Sequence, residues 1–199
     1  MFNSESVDID LEIKLALVGD SGVGKTSIIN QYISQKFNLD VKATIGESHY
    51  SKILKLKNQN IQLSLWDTAG QERYRSLSKI FLKNSNIIIF VYDITKSESF
   101  INIKKIWIPY VYEILEKDKI IIGLAANKSD LYEYDKVGIE KGRNCAKELN
   151  CIFKETTSTE ISGIELLIVE LVEEYIKKHS NRLENISLIN NSKKKTQCC

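Results

Sequence analysis

Disulfide chemistry has little to work with in this sequence. Its four cysteines are too few and too unevenly placed for a framework of bridges, and none forms a C-x-x-C pair. Cys145 and Cys151 are expected to pack as small apolar residues in the core. Long apolar runs are also missing. Those around Ile87 to Val91 and Ile120 to Ile122 fall far short of the ~18 residues a membrane helix needs. No basic-then-apolar leader opens the chain. Met1 to Glu12 is polar and acidic, which argues against secretion and against a transmembrane anchor. Nor does either sign of charge dominate, since the net is +2. From His179 onward Arg182, Lys193, Lys194 and Lys195 stand against Glu184, a local +3 that leaves −1 for the remainder. A near-neutral body argues against a nucleic-acid-binding face. Proline occurs once, at Pro109, inside a helical pattern that it should kink. What is present is ordinary: 199 residues and 43% apolar content suit one domain with a single core.

The most informative stretch is Gly19-Asp20-Ser21-Gly22-Val23-Gly24-Lys25-Thr26, which follows the apolar run Leu15 to Val18 and leads into Ser27-Ile28-Ile29. It is a complete G-x-x-x-x-G-K-[ST] phosphate loop in the strand-then-helix context that the motif requires. A triphosphate crowds several negative oxygens together, and backbone amides converging from a tight turn can reach them all. Ser21, Gly22, Val23, Gly24, Lys25, Thr26 and Ser27 are therefore the expected phosphate cradle. The missing side chains at Gly22 and Gly24 let the main chain approach, and the helix opening near Lys25 adds the positive end of its dipole. Lys25 supplies a full charge to the outer phosphates, and the Thr26 hydroxyl is placed to ligate Mg²⁺.

Strands are expected at residues 12–18, 47–57, 60–66, 87–92, 120–125 and 151–153 from their apolar patterning. The second and third form a hairpin turning at Asn58-Gln59-Asn60, with Ile53, Leu54 and Leu56 facing Ile61, Leu63 and Leu65. Helices are expected from Lys25 to Gln35, from a Thr95-x-x-Glu98 capping box toward Glu116, and from a second box at Ser162-x-x-Glu165. In the last helix Ile164, Leu167, Ile168, Leu171, Val172 and Tyr175 make one apolar stripe, a core face. Strands alternating with helices imply an α/β fold of three layers, α/β/α, with a mainly parallel six-stranded sheet and one antiparallel strand. Such sheets bind ligands at the carboxyl ends of their strands, where the phosphate loop lies.

Two further motifs fall at that end. In Trp66-Asp67-Thr68-Ala69-Gly70-Gln71-Glu72 the carboxylate of Asp67 can hold a Mg²⁺ shell through water, opposite Thr26. Gly70 leaves room for a γ-phosphate and can donate its amide to it. Gln71, uncharged and both donor and acceptor, suits the orienting of an attacking water. In Asn127-Lys128-Ser129-Asp130 the Asp130 carboxylate can accept two hydrogen bonds from guanine, which adenine cannot supply. The Lys128 stem can cover the base, and Asn127 can tie this loop to the phosphate loop. GTP is thereby expected over ATP, which sets aside a P-loop ATPase or kinase.

Together these residues resemble the Ras superfamily of small GTPases over about residues 12–178, and within it the Rab proteins. Residues 19–27, 66–77 and 91–95 carry the closest likeness. The resemblance implies that Thr44, in Thr44-Ile45-Gly46, completes the Mg²⁺ shell and senses the γ-phosphate, and that Phe37 packs edge-on against guanine. It implies a GTP/GDP switch that hydrolyses GTP slowly unaided and regulates vesicle traffic. Its implied partners are effectors, an exchange factor, an activating protein, an extraction chaperone and the Rab escort protein. A nucleotide-holding scaffold that no longer cycles is the competing reading, motivated by departures from the pattern. Glu47-Ser48-His49 replaces the usual Val-Asp-Phe, and Ile80 to Asn84 replaces Tyr-Tyr-Arg-Gly-Ala. Glu155-Thr156-Thr157-Ser158-Thr159 stands for Glu-Thr-Ser-Ala-Lys. There Ser158 can still offer its amide to guanine, while Thr159 in place of lysine is expected to loosen binding.

A flexible extension at 1–11, a GTPase domain at 12–178 and a flexible tail at 179–199 are the expected divisions. The tail ends Cys198-Cys199 and does not meet the Cys-a-a-X rule. By the Rab resemblance both cysteines carry geranylgeranyl groups. Two lipid chains and three lysines are enough for stable anchoring. The implied location is the cytoplasmic face of an intracellular membrane, in exchange with the cytosol.

Overall fold

Alternation along each strand decides where the helices must go. The computed structural model describes residues 8–34, 48–68 and 75–195. In β1, Leu11–Val18, the side chains of Ile13, Leu15 and Leu17 are buried on one face and those of Ala16 and Val18 on the other. β4, Ile87–Asp93, divides the same way, with Ile87, Ile89 and Val91 opposite Ile88, Phe90 and Tyr92. Strands buried on both faces need helices on both, the condition under which a parallel sheet is stable. The remaining strands are β2 (Ser48–Leu56), β3 (Gln59–Asp67), β5 (Ile121–Asn127) and β6 (Ile152–Thr156). They form one sheet in the order β2-β3-β1-β4-β5-β6. Every pairing is parallel except β2 with β3, so the expected three-layer α/β/α fold is the one observed.

One layer holds α1, Lys25–Ser34, and α6, Ser162–Lys195. Ile28, Ile29 and Tyr32 of α1 and the whole predicted stripe of α6 are buried there. Gly123 in β5 explains how closely α6 approaches. A Cβ at that position would lie 2.8 Å from Leu171 Cδ1. The opposite layer holds α2, Arg75–Leu82, and α5, Ile139–Leu149. Between them in sequence runs a helical stretch made of α3, Ser97–Asn102, a π-helical turn, Ile103–Trp107, and α4, Ile108–Ile114. Leu82, Ile103, Trp107, Val111, Cys145 and Ala146 form its core. Cys145 is buried and Cys151 packs, half-buried, against the same cluster, as predicted. Burial raises the Cys145 thiol and pushes that of Cys151 up to about 12.

Local details depart from the sequence expectations in instructive ways. The hairpin turns at Lys57-Asn58, both at positive φ (48° and 63°), and Gln59 already pairs with Leu56. Two residues of left-handed backbone match the right-handed twist of the flanking strands. Register then sets Leu54 opposite Ile61, whereas Ile53 faces Gln62 and is exposed. Neither predicted capping box forms. The Thr95 hydroxyl and amide both donate to Asp93 Oδ1 (2.7 and 2.9 Å), so the helix begins later, at Ser97. Ser162 is already helical and its hydroxyl donates to Glu160 (2.9 Å), leaving the Ile161 carbonyl to close the first turn. Pro109 produces the π-turn before it rather than a simple kink. A proline cannot donate to the carbonyl four residues back and its ring crowds that oxygen, a conflict that a wider turn relieves. Finally, α6 remains helical to Lys195, beyond residue 178 where a flexible tail was expected. Neither proline nor glycine interrupts residues 164–195.

Leu171 is fully buried and Leu166, on the same helix, is 55% exposed. Leu171→Ala is expected to cost about 2–5 kcal/mol in equilibrium denaturation. Leu166→Ala should stay within about 0.5 kcal/mol of the parent.

Candidate functional site

Strand register brings the chemistry to one level. Asp67, the last residue of β3, lies beside Leu17 of β1; Asp93 of β4 lies beside Asn127 of β5; and Asn127 lies beside Thr156 of β6. All four polar residues are buried at the carboxyl ends of their strands. The loop from Gly19 to Gly24 rises from the same end of β1 and turns into α1. Gly19 could hold no side chain, because a Cβ there would sit 2.2 Å from the Val91 carbonyl oxygen.

Lys25 arches back over this loop. Its ammonium donates to the carbonyls of Gly19 (2.8 Å) and Asp20 (2.9 Å). Only 5% of the residue is exposed. Burial lowers its pKa to about 8, against the raising effect of the Asp67 and Asp20 carboxylates. The adjacent Thr26 donates its hydroxyl to Asp67 Oδ2 at 2.5 Å. Thr68 donates to the Leu17 carbonyl (2.6 Å), which ties the end of β3 to β1.

Asn127 joins three loops. Its Nδ2 donates to the Val23 carbonyl in the phosphate loop (2.7 Å), and its Oδ1 accepts from the Thr156 hydroxyl (3.1 Å). Gly24 makes room for that amide: at φ +100° it adopts a backbone that favours glycine, and a Cβ there would lie 2.3 Å from Asn127 Nδ2. Lys128, at φ 64°, extends its ammonium to Asp93 Oδ2 (2.7 Å). Burial would raise the Asp93 carboxyl, but hydrogen bonds from Lys128 and Thr95 outweigh it and hold the group below its ordinary range.

Asp130 accepts from the Thr157 hydroxyl at 2.5 Å, and that hydroxyl in turn meets Thr159 Oγ1 at 2.8 Å and the Thr159 amide at 3.1 Å. Ser158 lies buried between them in sequence. Thus Lys25, Thr26 and Asp67 come together at one end of the site, and Asn127, Asp130, Ser158 and Thr159 at the other. Asp93, Thr156 and Thr157 had no role assigned from sequence. Thr156 and Thr157 stood in the quoted stretch, but only the fold shows which side chains they meet. Phe37, Thr44, Gly70 and Gln71 lie outside the described residues, as do Glu47, Cys198 and Cys199.

A phosphate loop between the first strand and helix of a mainly parallel sheet, with polar loops gathered at the same edge, defines a P-loop nucleotide-binding protein. A family model described as "Ras family" matches residues 14–177. Ras-related protein RABA1b of Arabidopsis thaliana is 31% identical over 165 residues, 83% of this chain and 76% of the relative. Ras-related protein Rab11B of Nicotiana tabacum is 33% identical over 170 residues, 85% and 77% of the two chains. GTP-binding protein ypt3 of Schizosaccharomyces pombe is 32% identical over 175 residues, 88% and 81%. The chain therefore belongs to the Ras family of small GTPases, on its Rab branch.

The Lys25 environment has a measurable consequence in nucleotide-free protein. Unfolded, the group titrates near its ordinary 10.5; folded, at about 8. Between those values the unfolded state binds more protons, so stability rises with pH. Below pH 8 the cost of burying the ammonium is fully present. The stability difference between the parent and Lys25→Met should therefore move in favour of the parent from about pH 8 to pH 10. Urea denaturation of both proteins across that range measures it.

Proposed function

We propose that this chain is a Rab-type switch that binds GTP, hydrolyses it to GDP and phosphate, and controls vesicle-mediated membrane traffic through effectors that recognise the GTP-bound form. The observation that carries the reading is the shared level of Lys25, Thr26, Asp67 and Asn127 at the carboxyl edge of the sheet. The backbone amides of residues 21–27 and the Lys25 ammonium take the phosphates. A buried ammonium with a lowered pKa lacks solvation and is stabilised by the charge of a phosphate oxygen. Asp130, fixed by Thr157, reads guanine, and the buried Ser158 offers its amide to the base. Thr159, together with Thr157, replaces the usual lysine as a support for this loop.

The residues fit Mg²⁺. The Thr26 hydroxyl and the Asp67 carboxylate are hard oxygen donors held 2.5 Å apart, the ligand type this ion takes, with Asp67 acting through water. When bound, the ion neutralises charge on the phosphate oxygens. Thr44 is the third proposed oxygen donor of that shell. Thr44 and Gly70 sense the γ-phosphate, Phe37 packs against guanine, and Gln71 orients the attacking water. Unaided turnover is on the order of 10⁻⁴ to 10⁻³ per second, and an activating protein supplies the missing arginine. An exchange factor, an extraction chaperone and the Rab escort protein complete the cycle.

In this reading the nucleotide-handling domain spans residues 12–178, flanked by an extension at 1–11 and a tail at 179–199. No helix among the described residues is long and apolar enough to cross a membrane. Attachment falls to prenyl groups on Cys198 and Cys199, assisted by Lys193 to Lys195, at the cytoplasmic face of an intracellular membrane. Nothing among the described residues favours the non-cycling scaffold.

Purified protein is expected to carry guanine nucleotide, detectable by chromatography after denaturation. Gln71→Leu should retain GTP affinity and slow hydrolysis in the presence of the activating protein by about 10²-fold or more. Unchanged single-turnover kinetics would remove Gln71 from the mechanism. Deleting Cys198 and Cys199 should move the protein from the membrane to the soluble fraction of cells; persistence on membranes would place the anchor elsewhere.

A further inference from the structure

Asp20 is the one acidic residue inside the phosphate loop, where a negative charge opposes the task of binding phosphate. Its carbonyl already accepts from the Lys25 ammonium (2.9 Å), so its carboxylate stands within a short reach of the cation that phosphate must engage. The carboxylate is held by two donors from the helical stretch made of α3 and the π-turn. Trp107 Nε1 donates to Oδ1 at 2.6 Å and Asn102 Nδ2 donates to Oδ2 at 2.8 Å.

Both donors come from the interrupted helix, and the interruption is what lets them converge. In 3.6-residue winding, positions five apart lie about 140° around the axis and cannot reach one carboxylate. Asn102 and Trp107 are five apart and bracket the π-turn, whose i→i+5 bonding brings such residues back onto one side. The amide of Ile108 donates to the carbonyl of Ile103, five residues back, and Pro109 follows immediately. Trp107 is 5% exposed and packs edge-on to Tyr110, so its indole is fixed before it meets Asp20.

We infer that Asn102 and Trp107 are positioning residues that restrain the Asp20 carboxylate from competing with phosphate for Lys25, and so set how long guanine nucleotide stays bound. The inference rests on the nucleotide-binding reading above. Without these donors the carboxylate is free to pair with the ammonium and to repel the phosphates, since opposite and like charges at such separations interact strongly when partly buried. Release then accelerates.

The test is dissociation of a fluorescent GDP analogue with Mg²⁺ from the full chain. Wild-type retention is measured first, and failure to retain the analogue would sink the nucleotide-binding reading itself. Given retention, Trp107→Phe should speed release about tenfold or more, the scale of a lost hydrogen bond to a charged group. Asn102→Leu should do likewise, and it carries the test if Trp107→Phe folds poorly. Placed on Asp20→Asn, which keeps the shape and removes the charge, each substitution should change release by less than about twofold. The indole N–H resonance of Trp107 should also shift in Asp20→Asn. Release unchanged by both single substitutions would overturn the inference. So would equal acceleration with and without the Asp20 charge, because the two residues would then act through packing alone.

Discussion

The phosphate loop is held from within by the Lys25 ammonium, which meets the Gly19 and Asp20 carbonyls, and from without by Asn127. One amide group grips the Val23 carbonyl on one side and the Thr156 hydroxyl on the other. It thereby locks the phosphate loop, the end of β5 and the end of β6 into a single unit. Gly24 reads differently in this light. Its lack of a side chain opens the loop to an anion and also clears the space into which Asn127 reaches. The parallel sheet is the deeper cause, since parallel order puts the carboxyl ends of β1, β4, β5 and β6 along one edge.

Charge is distributed unevenly between this edge and the rest of the surface. Exposed pairs such as Lys79–Glu113 and Lys104–Glu148 are of the kind worth about 0–1 kcal/mol each. At this edge, by contrast, Lys25 at the start of α1 and Asp67 and Asp93 at the ends of β3 and β4 are buried outright. Desolvating an ion costs several kcal/mol, and hydrophobic replacements often fold as well or better. Buried ions are thus a poor way to stabilise a sheet and a good way to prepare a site for a charged ligand. Lys25 shows the tension most plainly, with burial prevailing over two nearby carboxylates.

Much of this was legible in the residues. Apolar runs marked β4 and β5 because burial on both faces leaves an uninterrupted signal, as at Ile87 to Tyr92, while alternation marked β2 and β3. The stripe from Ile164 to Tyr175 marked α6 for the equivalent reason at helical period. The phosphate loop was readable because its glycines answer a local backbone need. Caps and turns were less so. Thr95 and Ser162 sit where helix-capping patterns lead one to look, yet the hydroxyls found nearer partners in Asp93 and Glu160. The hairpin slipped because Lys57 gives no sign of left-handed backbone. Within the site, the tie of Asn127 to the phosphate loop was expected, but the contacts of Asn127 with Thr156 and of Thr157 with Asp130 join residues far apart in the chain. No local pattern encodes such pairs; they exist once the sheet has set its register.

The half-buried Cys151 and the buried Cys145 bear on chemistry at a distance. A sulfur nucleophile attacks as the thiolate, and burial keeps both of these groups protonated at neutral pH. Alkylating agents, oxidants and enzymes that activate sulfur therefore meet a folded body whose own two thiols are reluctant to react. A thiol in a less buried setting would compete with two whose protonated form burial already favours.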